Sequence, residues 1–367
     1  MKIVQIFPGK IWGGAEQYVL DLGRELTTRG HTVTYVSRNS STVISNLKNE
    51  GVECHALPFS WSFDLRTISL LADIIKDADV IHVHTIKFIP IAVLAKIRSG
   101  SNVRIVMTRH DAHRTPVNLL FRPFFRYLHR IIFVSDLTRR SWCGANRWFP
   151  QDKCVVVHNS IPPASNNTDV ESLRGKYNIP TSIPLLIFSG RVRKSKGCEV
   201  LVDALCRLSD RKFAMVFLGT CRPDNYTEKL MKIAEAGGIA DKIHFYGFTR
   251  QARDLMKQAD IGVSPSVFRD PFLLSNIEFQ QQGIPIVTTN NGGQPEYVTD
   301  GVTGLLVNPK NPEQLADAID RLLTDTDLRN RIGRAGLDYF NANLSYDKFT
   351  DRIIEVYSGE IGAAIHS

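Results

Sequence analysis

No stretch of this 367-residue chain reaches about 18 uninterrupted apolar residues, so no segment is expected to cross a membrane. The apolar run at the start, residues 1–7, is too short for the core of a signal peptide and has no small-residue cleavage site after it. Cysteine is scarce and scattered. Cys54, Cys143, Cys154, Cys198, Cys206 and Cys221 include no C-x-x-C pair, which argues against a metal cluster or a disulfide framework and fits a reducing cytoplasm. No G-x-G-x-x-G run follows the first apolar strand, which argues against a nicotinamide dinucleotide site. Acidic residues are thin in the first part of the chain: residues 1–160 hold 21 Lys and Arg against 12 Asp and Glu, whereas the remainder holds 24 against 25. Between His84 and Pro150 there are 12 basic residues against Asp111 and Asp136 alone. Such a bias favours an anionic partner. No single-strand or groove-reading motif accompanies it, so nucleic acid is not the partner expected.

With 43% hydrophobic and 22% charged residues the composition is that of soluble globular domains, and the length suffices for two sizeable cores. Apolar strands at 2–7, 32–37, 52–57, 80–84, 103–108, 131–135 and 154–157 alternate with helical stretches, the pattern of a doubly wound parallel sheet. Gly13 and Gly14 follow the first strand and open a helix carrying Tyr18, Leu22 and Leu26 on one face, so backbone N–H groups there can approach a ligand. Proline, serine and asparagine cluster at 159–169 and mark a linker, after which the alternation resumes from Pro184.

Two stretches carry the chemistry. In residues 187–197 a strand stops at Gly190, Arg191 and Lys196 follow five apart, and a helix is expected from about Gly197. Two cations at a helix N-terminus suit a diphosphate, each charged hydrogen bond being worth about 1.5–3 kcal/mol. In residues 264–288, Asp270-Pro271 has the form of an N-cap followed by proline at the first helical position, which would leave the N–H groups of Phe272, Leu273 and Leu274 facing a ligand. Glu278 lies eight residues after Asp270, about 12 Å along a helix, a span that fits the two sugar rings of a nucleotide sugar. Gly283 closes the helix and Pro285 opens the next strand.

These residues resemble a known family. Pro265, Ser266, Asp270, Phe272, Glu278, Gly283 and Pro285 look like the nucleotide-sugar signature of the retaining glycosyltransferases of family 4, and Gly190-Arg191 with Lys196-Gly197 looks like that family's G-R-x-x-x-x-K-G pattern. Two positions depart from it: Asp270 stands for glutamate, and Leu273 for a glycine, which would put a side chain where the backbone should approach the sugar. The resemblance implies a GT-B fold, two doubly wound Rossmann-like α/β domains facing across a cleft. The boundaries expected are 1–160 for an acceptor-side domain, 161–345 for a nucleotide-sugar domain and 346–367 for a terminal helix crossing back. It implies a metal-independent enzyme that moves a sugar from a nucleotide diphosphate sugar, UDP before GDP or ADP, to a glycan, lipid-linked, phosphorylated or small-molecule acceptor in cell-surface polysaccharide synthesis. His110, within Thr108-Arg109-His110-Asp111, matches the family's histidine beside the donor sugar.

The expected catalytic residues are thus His110, Asp270, Arg191 and Lys196. Substrate contacts are expected from Gly13, Gly14, Arg191, Lys196, Phe248 by the base, Asp270, Phe272, Leu273, Leu274 and Glu278 on the ribose. Phe248 could equally be a core residue, Asp270 a helix cap alone and Glu278 a solvated surface acid. Lys196→Ala is expected to reduce turnover far more than stability. No metal site is expected: His82 and His84 lack a third nearby ligand, and Asp77 with Asp79 and Asp325 with Asp327 read as turn residues. Residues 119–130 interleave aromatic and basic side chains. They read either as a core-facing amphipathic helix or as one lying on the anionic inner face of a membrane, to which a cytoplasmic protein would bind peripherally. A sugar-nucleotide epimerase or phosphorylase, or a non-catalytic sugar-nucleotide- or glycan-binding subunit, would fit the same motifs.

Overall fold

The computed structural model describes residues 1–9, 14–39, 41–164, 169–221 and 225–360. The chain forms two compact units: Met1–Asn159 together with the helix Tyr346–Ser358, and Ser160–Ser345.

Seven strands build the first unit: β1 (Lys2–Phe7), β2 (Thr32–Arg38), β3 (Cys54–Leu57), β4 (Val80–Val83), β5 (Arg104–Arg109), β6 (Leu128–Phe133) and β7 (Cys154–Val156). They lie in the order β3-β2-β1-β4-β5-β6-β7, all parallel. Parallel neighbours need a crossover, and helices supply it on both faces. The strands are therefore apolar on both sides: Ile3, Val4, Ile6 and Phe7 of β1 are all buried. One face packs under Leu71, Ile89, Val93 and Trp142. The other packs under Leu22 and Leu26 together with Phe349, Ile353, Val356 and Tyr357 of the C-terminal helix. That helix is held further by Arg29, which bonds Asp347 at 2.9 Å and also pairs with Asp351.

The second unit has six parallel strands: β8 (Leu185–Ser189), β9 (Ala214–Leu218), β10 (Ile243–Gly247), β11 (Ile261–Ser264), β12 (Ile286–Thr289) and β13 (Leu305–Val307). Their order is β10-β9-β8-β11-β12-β13. The order reverses between β8 and β11. At such a switch point the connections leave the carboxyl ends of two neighbouring strands in opposite directions, which opens a crevice for a ligand.

Residues 119–130 are neither of the helices expected. Only Arg122–Phe125 is helical, and β6 begins at Leu128, because residues 128 and 130 already pair with Ile105 and Val106 of β5. Phe125 is buried, while Leu119 and Leu120 are exposed. The ring of Phe63 lies 5.8 Å from Phe121, 5.7 Å from Phe124 and 5.7 Å from Trp61, which is itself exposed. Among the described residues no helix is long and apolar enough to cross a membrane. Asp77 and Asp79 lie in the turn before β4, Asp79 accepting the N–H of Lys2 at 2.7 Å; Asp325 caps the helix Thr326–Asn343 through the N–H of Leu328 at 2.8 Å, and Asp327 falls within that helix's first turn.

Candidate functional site

The loops after β8 and β11 occupy the two sides of the switch point, and they are bonded to each other. The carbonyl of Ser195 accepts the N–H groups of Val267 at 3.1 Å and Phe268 at 3.0 Å. Gly197 (φ +76°) precedes the helix Cys198–Cys206, and a Cβ there would stand 1.8 Å from the carbonyl oxygen of Pro265. No other residue can pass so close, so the glycine sets the distance between the two loops. The helix therefore starts where the sequence indicates, with Arg191 and Lys196 on the loop that leads into it.

Lys196 reaches across to the second loop, its Nζ 2.7 Å from Oδ1 of Asp270. The other oxygen of Asp270 accepts the hydroxyl of Ser266. Both carboxylate oxygens are thus engaged, and the residue is only 7% exposed. Arg191 is exposed and makes no ion pair among the described residues. Partial burial and then the neighbouring Arg193 hold its guanidinium below its usual range, with Asp270 acting the other way. The loop carries Arg191, Arg193, Lys194 and Lys196 beside one buried acid, leaving an excess of positive charge at a helix start.

Several expectations for residues 270–278 are corrected. Asp270 is not a helix cap: the helix runs Leu274–Gln281, its N-cap is Leu273, and no side chain caps it. The N-cap signature is overridden because Lys196 and Ser266 take the carboxylate, while the N–H of Gly293 holds the Asp270 carbonyl at 2.9 Å. A Cβ on Gly292 would stand 2.3 Å from that carbonyl oxygen, so the turn after β12 closes on Asp270 only with glycine there. Asp270 and Glu278 accordingly do not lie on one helix, and the 12 Å helical separation does not apply.

Leu273 fits the loop without strain. Its side chain is buried, and its φ of −83° is open to any residue. Its N–H is not free for a ligand either, since the hydroxyl of Tyr297 accepts it at 3.3 Å. Phe272 is buried against Tyr297, with ring centroids 4.5 Å apart, which makes its side chain part of the support beneath the loop. Leu274 begins the helix and is partly exposed.

Glu278 is not a solvated surface acid. Its side chain is 17% exposed and lies 3.8 Å from Nε of Arg253. Arg253 is itself fixed by bonds to the Pro162 carbonyl at 2.6 Å and Gln281 at 2.8 Å. Phe248 is 70% exposed just after β10, which removes the core alternative for it. Arg253 and Tyr297 had no signal in the sequence, because each acts through a partner far along the chain, whereas Ser266 belongs to the signature and acts on Asp270 nearby.

In the first unit, Gly14 opens the helix Gly14–Thr28 and is exposed, while Gly13 lies outside the described residues. His110 follows β5 and is half-buried, with its Nε2 3.1 Å from Nδ1 of His84. Its ring stacks on His84 at 5.3 Å and meets Tyr18 edge-on at 4.9 Å. Burial first, and the Arg109 charge second, lower its pKa to about 4, so it is neutral at neutral pH. His82 and His84 are fully engaged with protein groups: His82 with Tyr357 and Thr108, each at 2.6 Å, and His84 with Gln5 at 2.8 Å as well as with His110.

Comparison with known proteins agrees with these features. Residues 169–338 match the family described as Glycosyl transferases group 1, and residues 12–165 match Glycosyltransferase Family 4. An uncharacterized glycosyltransferase of Methanocaldococcus jannaschii, MJ1607, is 30% identical over 237 residues, which is 62% of this chain and 59% of that protein. Among solved structures, a glycosyltransferase from Rickettsia africae is 24% identical, with 98% of each chain covered and a TM-score of 0.87. Anabaena Alr3699/HepE in complex with UDP-glucose is 19% identical, covering 98% of this chain and 100% of that one, with a TM-score of 0.82. With one match on each of two doubly wound units, the chain belongs to the group 1 and family 4 glycosyltransferases and has their GT-B fold.

Proposed function

We propose that the protein is a retaining glycosyltransferase that takes a sugar from a nucleotide diphosphate sugar. The observation that carries this reading is the loop after β8. It presents exposed Arg191 and the Asp270-held Lys196 at the start of the helix Cys198–Cys206, on one side of the switch point. Departure of a nucleoside diphosphate builds negative charge on its phosphate oxygens. The held cation of Lys196, the nearby guanidinium of Arg191 and the first-turn N–H groups of a helix stabilise that charge. Asp270 acts by holding Lys196 in place, and its oxygens are not the first contact for a sugar hydroxyl. Glu278, kept in position beside Arg253, is the acid for the ribose, and exposed Phe248 lies near the base through its main chain. In the first unit His110 is the group available to a sugar hydroxyl. UDP is the nucleotide to test first, in line with the UDP-glucose held by HepE.

Thermal stabilisation by a panel of nucleotide sugars, followed by their slow hydrolysis without acceptor, tests the reading. One nucleotide class is expected to raise the melting temperature and to release its diphosphate. Stabilisation by a nucleotide with no donor consumed, with or without glycan, lipid-linked and small-molecule acceptors, would make the chain a binding subunit instead.

For the acceptor we propose a phosphorylated or membrane-presented glycan of cell-surface polysaccharide synthesis. Exposed Trp61, Leu65, Leu119 and Leu120, in a unit with excess Lys and Arg, suit a peripheral contact with anionic lipid on the cytoplasmic face. The protein is expected to co-sediment with vesicles containing phosphatidylglycerol and not with neutral ones. Equal recovery with both would remove the membrane from the proposal.

A further inference from the structure

Six side chains of the first unit form one unbroken hydrogen-bonded chain from β5 to the C-terminal helix and back. From His110 it passes to His84 (3.1 Å), Gln5 (2.8 Å), Tyr357 (3.3 Å), His82 (2.6 Å) and Thr108 (2.6 Å). Gln5 gives the chain its direction, because its donor and its acceptor are different atoms. With the amide placed as it is, Nε2 donates to the hydroxyl of Tyr357, and Oε1, which can only accept, faces Nε2 of His84. His84 Nε2 must then carry a hydrogen.

His84 stacks on His110 with centroids 5.3 Å apart and lies tilted against His82 at 4.1 Å, an arrangement in which charged rings would repel. Each is held neutral by burial. A neutral imidazole has a single N–H. Nδ1 of His84 is therefore bare, so His110 has to donate to it from Nε2, which leaves Nδ1 of His110 bare in turn. No described residue bonds that nitrogen. On the other side, Tyr357 accepts from Gln5 and gives its own hydrogen to Nδ1 of His82, so His82 donates from Nε2 to Thr108.

We propose that Gln5 and Tyr357 are positioning residues that lock His110 as the Nε2–H tautomer, so that Nδ1 accepts a hydrogen bond from a ligand hydroxyl and disfavours a ligand oxygen that has no hydrogen to give. The identity of that hydroxyl as a sugar's rests on the transferase reading; the tautomer does not. With the chain reversed, His110 would instead present N–H and would suit a phosphate or carbonyl oxygen. The C-terminal helix thus sets the chemistry of a residue at the end of β5 that it does not itself bond.

The full-length protein, labelled with 15N-histidine and free of ligand, tests this through long-range 1H–15N spectra at neutral pH. His110 and His84 are both expected to show a pyridine-type Nδ1 and a pyrrole-type Nε2. Tyr357→Phe removes the hydroxyl that receives the Gln5 amide, and both histidines should then move together towards mixed tautomers. Gln5→Met, which removes both ends of the amide, should do the same and serves if the first variant does not fold. A wild-type His110 with its hydrogen on Nδ1 would overturn the proposal. So would a folded variant of either kind whose two histidines keep their shifts, even if its kcat/KM fell, since that loss would then be structural. If the wild type consumes no donor, the transferase reading fails and the spectra still decide the tautomer.

Discussion

Lys196→Met is expected to lower kcat/KM for the donor by about 10- to 100-fold, the equivalent of one charged hydrogen bond of about 1.5–3 kcal/mol to the departing diphosphate. The sequence alone predicts that such a change spares stability. The ion pair with Asp270 overturns that expectation. Lys196 and Asp270 are 16% and 11% exposed at the side chain, so removing the cation leaves a carboxylate that water barely reaches. Breaking one side of such a pair costs about 3–5 kcal/mol. The single variant should therefore lose activity and also unfold at lower urea concentration. The double variant Lys196→Met/Asp270→Asn separates the two effects, because asparagine removes the stranded charge while its amide oxygen still accepts from Ser266. It is expected to regain most of the stability and none of the activity. A stable double variant that consumes donor at nearly the wild-type rate would remove Lys196 from the diphosphate site.

The same pair shows what the sequence could and could not convey. The strand ending at Gly190, the cations at 191 and 196, and the helix from Gly197 are local, since spacing and glycine chemistry specify them, and the structure has them in place. The alternation of strands and helices likewise announces two parallel sheets. Asp270-Pro271 misleads because a cap signature is only a preference of about 1 kcal/mol. A lysine 74 residues earlier in the chain and Ser266 compete for the same oxygens. Leu273, which read against a glycine pattern looks like an obstruction, is a buried residue whose φ is open to any side chain. Residues 128–130 read as the end of an amphipathic helix until their partner is known to be β5. Periodicity cannot anticipate that choice. The buried chain of histidines was half visible, as His82 and His84 on one face of a strand end. Two further members, Gln5 and Tyr357, are 352 positions apart and meet only because β1 and the C-terminal helix share one core.

Acid is expected to destabilise the first unit well above the pH at which carboxylates titrate. Burial lowers the pKa of His82 to about 3 and of His110 to about 4, and holds that of His84 well below its ordinary value. In the unfolded chain all three return to about 6.5. Between those values the unfolded state binds more protons than the folded one, so stability rises with pH. The contribution is fully present above pH 6.5 and is lost as pH falls towards 4 and then 3. Each histidine adds a slope of at most about 1.4 kcal/mol per pH unit, reached midway between its two values. The slope belongs to the whole cluster, because the groups around these rings are Tyr18, Tyr357, Gln5, Thr108 and the cation Arg109, none of them a carboxylate that could compensate a proton. His31 and His129 shift in the same direction but are more open to solvent, so the total slope alone does not identify the cluster. A difference does. In urea unfolding monitored between pH 7 and 5, His84→Gln should start less stable than the wild type and lose stability more slowly, its slope smaller by about 1 kcal/mol per pH unit averaged over that range. Parallel pH dependences in the two proteins would mean that His84 already carries a proton in the folded chain. In that case neither neutral packing nor a fixed hydrogen-bond direction could describe the three rings.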